Sequence, residues 1–133
     1  MVSANSVDVI GSVVVVGHAR TSNLTVHTYA LSTGVAGWTK DTGFDVTNVR
    51  SNGSYVAVGG PSDGSASTDL YQSDGTEVWS VDSGYVGNGL GVNANYVIEG
   101  GQSGEVHFLD IADGSSYDTP YNHDAEIRRI ATA

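Results

Sequence analysis

The sequence contains no cysteine, two prolines and five basic residues, against 15 acidic residues. Without cysteine, the chain can form neither a disulfide framework nor a thiolate metal site. No apolar run approaches the ~20 residues that a membrane-spanning helix needs, so we expect no insertion into a membrane. Segment 1–11, MVSANSVDVIG, lacks the basic and long apolar regions of a signal peptide. The sequence leaves the localisation unknown, and a virion or an extracellular surface is favoured because a virion component needs no secretion signal.

The scarcity of basic residues also excludes partners. The net charge is −10, and binding to nucleic acid requires a basic surface that pairs with phosphates. The acidic residues are scattered along the chain, so we expect them on a solvated surface rather than in a disordered tail. Lys40 is the only lysine, and the composition resembles that of proteins from salt-loving archaea and their viruses, where salt screens self-repulsion. An ordinary acidic β protein is the alternative.

A period of about forty residues runs through the chain. Segment 29–43, YALSTGVAGWTKDTG, returns as LYQSDGTEVWSVDSG at 70–84 and, without its tryptophan, as LDIADGSSYDTPYNH at 109–123. A β-branched run that ends in glycine precedes each copy, and a short alternating stretch precedes that run. Short runs rich in Val, Tyr and Thr, separated by Gly, Asn, Asp and Ser, are typical of strands and tight turns. Evidence for helices is nearly absent.

We therefore predict an all-β fold of about three four-stranded antiparallel β-propeller blades plus one extra strand. Four short strands in about forty residues is the size of one blade, which cannot bury both of its faces and must stack on its neighbours. The whole chain, 1–133, is predicted to be a single module. Its blades would be approximately 1–43, 44–84 and 85–123, with the extra strand at 124–133.

The motif Tyr-x-Leu-x-x-Gly-x-x-x-Trp-x-x-Asp-Thr-Gly at 29–43 resembles the blade repeat of the pyrrolo-quinoline-quinone-like propellers, with some likeness to WD40 blades. The resemblance covers essentially the whole chain and implies that Trp38 and Trp79 dock between neighbouring blades. The third copy departs from the motif because Asp118 takes the place of the tryptophan. Quinoprotein dehydrogenases of this family bind their cofactor on the axis of a larger ring. This chain has too few blades and no motif for that site, so the resemblance implies the fold and not the chemistry.

Three blades do not close a ring, because propellers typically have about four to eight. An open array would expose sheet edges and apolar faces, so we expect another chain to complete the ring. Homo-oligomeric closure is favoured; a longer propeller protein and a different capping partner are the alternatives. The candidate interface residues lie at the end of the chain, where the spacing of an inner strand recurs: Ile127, Arg128, Arg129 and Ile130.

No catalytic, cofactor-binding or metal-binding residues are predicted. His27 and His107 are expected at equivalent positions of the third strand in their blades, with Thr68 between them, too far apart to share a metal. The Asp-rich stretches 63–69 and 110–113 lack the alternating spacing of a calcium loop. No serine sits in a G-x-S-x-G elbow.

The sequence thus predicts a non-enzymatic structural or protein-interaction module that needs no cofactor. A component of a virion of a halophilic archaeal virus, such as a capsid decoration, turret or tail protein, is the favoured role. A cellular scaffold or adhesin that binds protein or glycan is the alternative. A fragment of a quinone-dependent enzyme is the third hypothesis.

Overall fold

The computed structural model describes residues 3–20, 24–62, 65–82, 87–101, 104–116, 121–122 and 130–132. No helix occurs among these residues, and their strands form three four-stranded antiparallel sheets. The all-β prediction is therefore confirmed. The predicted interface residues Ile127, Arg128 and Arg129 lie outside the described residues, as does Asp118.

Each sheet takes four strands in chain order. Sheet 1 contains β1 (Ala4–Ile10), β2 (Val13–His18), β3 (Val26–Ala30) and β4 (Ala36–Lys40). Sheet 2 contains β5 (Asn48–Ser51), β6 (Tyr55–Ser62), β7 (Ser65–Gln72) and β8 (Glu77–Asp82). Sheet 3 contains β9 (Gly87–Val92), β10 (Tyr96–Gly101), β11 (Glu105–Asp110) and β12 (Tyr121–Asn122). The three sheets fall within the segments 1–43, 44–84 and 85–123.

Hairpin turns follow from where glycine stands in the sequence. Gly34, Gly75 and Gly114 end the turn between the third and fourth strands of their sheets, and each has a positive φ, between 69° and 88°. Residues with a Cβ rarely adopt this backbone conformation. The periodic glycine therefore places a turn at the equivalent point of every sheet.

The strand register defines which residues are equivalent. Val7, Val49 and Leu90 lie on the first strands, opposite Val16, Val58 and Glu99 of the second. On the third strands, His27, Asp69 and His107 lie opposite those same partners. Asp69, not Thr68, is therefore the residue between the two histidines; the sequence alignment was wrong by one position. The turn that closes on Gln72 and Thr76 is one residue shorter than the turn that closes on Ala30 and Val35.

Two apolar clusters hold the sheets together, one at each junction. Between sheets 1 and 2 lie nine buried residues: Ile10, Val15, Val26, Phe44, Val46, Val49, Val56, Val58 and Tyr71. Between sheets 2 and 3 lie seven: Ala57, Leu70, Trp79, Leu90, Val92, Val97 and Leu109. The core thus lies between blades, because side chains alternate across each sheet and reach both of its neighbours.

Gly59 and Gly60, adjacent in β6, differ in how closely the neighbouring atoms approach them. A Cβ on Gly60 would overlap the backbone carbonyl of Asp45, whereas a Cβ on Gly59 would meet Thr68 Oγ1 at 3.3 Å and Leu90 Cδ2 at 3.5 Å. We expect Gly60→Ala to lower the free energy of unfolding by about 3 kcal/mol, and Gly59→Ala by less than about 1 kcal/mol. Urea denaturation followed by circular dichroism measures both. Equal losses would contradict this account of the junction.

Candidate assembly interface

Each tryptophan reaches from one sheet to a turn of the next. The Trp38 indole N–H donates a hydrogen bond of 2.9 Å to the Ser73 carbonyl of sheet 2. A Cβ built on Gly75 would lie 2.8 Å from the Trp38 ring, so the indole covers that glycine. The ring also packs at 5.8 Å from the Tyr71 ring.

The same contact recurs at the second junction. The Trp79 indole N–H donates to the Ile111 carbonyl at 3.0 Å, and a Cβ on Gly114 would lie 2.9 Å from its ring. At both junctions, the indole covers a turn glycine of the next sheet and donates its N–H to a backbone carbonyl of that turn. Each indole therefore contacts a turn of the sheet that follows its own.

Polar side chains link the first strands of the sheets. The amide N–H of Val49 donates to Ser6 Oγ at 3.0 Å, and that of Ser51 donates to Asp8 Oδ2 at 2.7 Å. At the next junction, the Asn52 side-chain amide donates to the Asn93 carbonyl at 2.8 Å. These bonds tie β1 to β5 and the β5–β6 turn to the β9–β10 turn.

Residues 130–132 lie beside β9. The Thr132 hydroxyl donates to the Val92 carbonyl at 2.9 Å, and the Ile130 side chain lies against Gly91. Ile130 is the only one of the four predicted interface residues that the structure describes. In the sequence repeat it aligns with Val49 and Leu90 of sheets 2 and 3.

A polar cluster lies within the first junction. Tyr71 and Ser80 donate their hydroxyls to the buried carboxylate of Asp69, at 2.7 and 2.6 Å. Burial raises the pKa of Asp69, while these two hydrogen bonds act in the opposite direction. The Lys40 ammonium lies 5.5 Å from the centre of the Tyr71 ring. Both carboxylate oxygens of Asp69 accept hydrogen bonds within the junction, so we assign the cluster to packing.

Two of the three described histidines lie side by side. The ring centres of His18 and His27 are 4.9 Å apart, and the pKa of His27 is lowered first by desolvation and then by the charge of His18. His107 is buried in sheet 3. Among the described residues, no three His, Asp or Glu side chains are grouped so that they could hold a metal ion. The described part of the chain also contains no helix long and apolar enough to cross a membrane.

One face of sheet 1 has no sheet against it among the described residues. We call it the entry face; its residues are Val7, Val9, Val14, Val16, His27 and Tyr29. The neighbouring positions on these strands, among them Val15, point the other way into the core with sheet 2. Val7 is 57% exposed, whereas its equivalents Val49 and Leu90 are 0% and 3% exposed. The difference arises because sheets 2 and 3 each have a preceding sheet.

The sequence analysis expected an open array to expose apolar faces, but it assigned no residues to them. The alternating valines of β1 and β2 are visible in the sequence, but the same pattern is buried in sheets 2 and 3. The pattern alone therefore does not separate an exposed face from a buried one.

Stacked four-stranded antiparallel sheets with apolar clusters between them define a propeller-like fold. No family model matches the sequence, and no curated protein matches it. Among solved structures, the computationally designed Ika4 protein is similar, with 19% identity, a TM-score of 0.79, and 98% of this chain and 80% of Ika4 covered.

Two longer chains are also similar. The designed Ika8 protein has 19% identity and a TM-score of 0.74, with 98% of this chain and 40% of Ika8 covered. BamB from Moraxella catarrhalis has 15% identity and a TM-score of 0.74, with 96% and 37% covered. This chain thus spans well under half the length of Ika8 and BamB. At these identities the likeness shows the fold alone, and the predicted propeller-like fold is confirmed.

Removing an indole tests its contribution to the junction. Trp79 is nearly buried and Trp38 partly exposed, so we expect Trp79→Ala to lower the free energy of unfolding by about 3–5 kcal/mol and Trp38→Ala by less. Trp79→Phe keeps a ring but loses the donor to Ile111, and we expect a loss of about 1–2 kcal/mol. Equilibrium denaturation measures all three. A Trp79→Ala protein as stable as wild type would contradict the structural role.

Proposed function

We propose that this chain is a non-enzymatic assembly module, a set of propeller blades whose entry face is covered by another protein chain. The observation that carries the proposal is the exposure of Val7, whose equivalents in the other two sheets are buried. The neighbouring entry-face residues Val9 and Tyr29 are also exposed. Apolar residues contiguous on one sheet face are typical of an interaction surface.

The number of blades supports the same proposal. The described strands make three blades, fewer than the about four to eight that close a propeller ring. Residues 130–132 lie beside β9 at the other end of the array, where the first strand of a further blade would pack. Protein partners, with homo-oligomers as one form, therefore suit the geometry; neither nucleic acid nor a membrane suits the charge.

The setting is proposed from composition and from the repeat. The excess of ten acidic over basic residues supports a high-salt environment, and a component of a virion of a halophilic archaeal virus is the role we propose. The Gly and Trp positions of the repeat support affiliation with the PQQ-like blades. Mass spectrometry of purified particles against host cells would test the virion role.

Self-association through the entry face is tested by native mass. In molar salt we expect concentration-dependent species heavier than the 13.7 kDa monomer by light scattering. Val7→Asp places a charge on the entry face and should weaken association at least about tenfold. Ser54→Asp, on the exposed β5–β6 turn, adds the same charge elsewhere and should leave it unchanged. A wild-type chain that stays monomeric at all concentrations would contradict self-association.

Salt should stabilise the fold itself. The acidic side chains repel one another in the compact state, and this repulsion is screened as the Debye length shrinks to about 3 Å at 1 M salt. We expect the melting temperature to rise from low to molar potassium chloride by about 10 °C or more. The monomeric Val7→Asp variant separates this effect from association. A melting temperature independent of salt would remove the support for a high-salt setting.

A further inference from the structure

We propose that the entry face receives a β-sheet of another protein chain that carries a tryptophan on its outer strand. The indole would cover Gly34 and donate its N–H to the Leu31 carbonyl. The inference rests on the proposed function and specifies the partner. It follows from the two junctions within the chain, where a tryptophan of the preceding sheet covers the turn glycine.

The turn at 31–34 has the backbone hydrogen bonds of a turn that accepts an indole. The Gly34 amide donates to the Ala30 carbonyl at 2.8 Å, and the Gly114 amide donates to the Asp110 carbonyl at the same distance. The Leu31 amide donates to Ser12, as the Ile111 amide donates to Asn95, at 2.8 and 2.9 Å. Turns 31–34 and 111–114 therefore share their backbone geometry, and Leu31 corresponds to Ile111, whose carbonyl accepts from Trp79.

Nothing among the described residues covers the turn in sheet 1. A Cβ built on Gly34 has no neighbour within 4 Å, whereas one built on Gly75 or Gly114 meets an indole. Leu31 and Val35 on either side of Gly34 are 57% and 65% exposed. The socket, as we call turn 31–34, is therefore present without its indole, at the outer margin of the same sheet as the exposed entry face.

A second copy of this chain fits the socket poorly. Position 118 lies two residues after Ser116, which bridges to Leu109; Trp38 likewise lies two residues after Ala36, the partner of Tyr29. The sequence has aspartate at 118, so sheet 3 of a copy offers no indole. A chain whose exposed sheet carries a tryptophan suits the socket better.

The chain itself can be made into a probe by Asp118→Trp, which places tryptophan at the position in the repeat that Trp38 and Trp79 hold. Sedimentation of the full-length variant in molar salt should show self-association at least about tenfold tighter than wild type. Asp113→Trp makes the same exchange on an exposed turn of sheet 3 and controls for general adhesion of an added indole. It should associate no more tightly than wild type.

The socket is tested by blocking it in the Asp118→Trp background. Asparagine tolerates a positive φ, so Gly34→Asn should keep the turn, fill the space above Gly34 and return association to the wild-type value. Gly11→Asn, at a turn glycine with φ 58° and open space, is the matched control and should leave the gain intact. A melting temperature equal to that of the wild-type monomer verifies that each variant is folded.

The outcomes separate this inference from the proposed function. If Asp118→Trp and Asp113→Trp associate equally, or if Gly34→Asn leaves the gain intact, the socket is wrong. The dependence of wild-type association on Val7 tests the proposed function by itself. A gain with Asp118→Trp that Gly34→Asn abolishes would support the socket even if the wild-type chain is monomeric.

Discussion

The structure depends on the stacking of one sheet upon the next. A four-stranded sheet with apolar residues on both faces cannot be stable alone, because each face exposed to water forgoes its hydrophobic stabilisation. Here both clusters of buried residues lie between sheets. The indoles of Trp38 and Trp79 fix the outer margin of each junction, and the hydrogen bonds of β1, β5 and the β9–β10 turn fix the inner margin. Every other feature of the fold is arranged around these two margins.

The position of a sheet in the array decides what its residues do. Val7 and Val49 are both valines at equivalent register positions on the first strands of their sheets, yet Val7 is exposed and Val49 is buried. Sequence therefore specifies what a face can bind, and the array specifies whether that face is free. A search for unusual residues would pass over the entry face, because its residues are ordinary core residues without a neighbour.

Much of the fold could be predicted from the sequence because a few residues mark it strongly. Glycine at the turns, tryptophan ten positions into the first two outer segments, and β-branched runs before all three predicted three blades of four strands. The alignment failed at Thr68 because turn lengths differ by one residue, which shifts the register between otherwise similar sheets. The link from Asp8 to Ser51 could not be predicted, since it joins a side chain to a backbone amide that every residue except proline carries.

That last bond has a consequence for how the chain can vary. Ser6 and Asp8 accept from backbone amides, and Asn52 donates to a backbone carbonyl, so each link depends on a side chain at one end only. The residue at the other end is free to change without loss of the hydrogen bond. In each linked pair, this hydrogen bond constrains the residue that supplies the side chain. It does not constrain the side chain of the residue that supplies the main-chain group. An array of sheets linked this way accommodates blades of dissimilar sequence, provided that each presents its main chain at the same place.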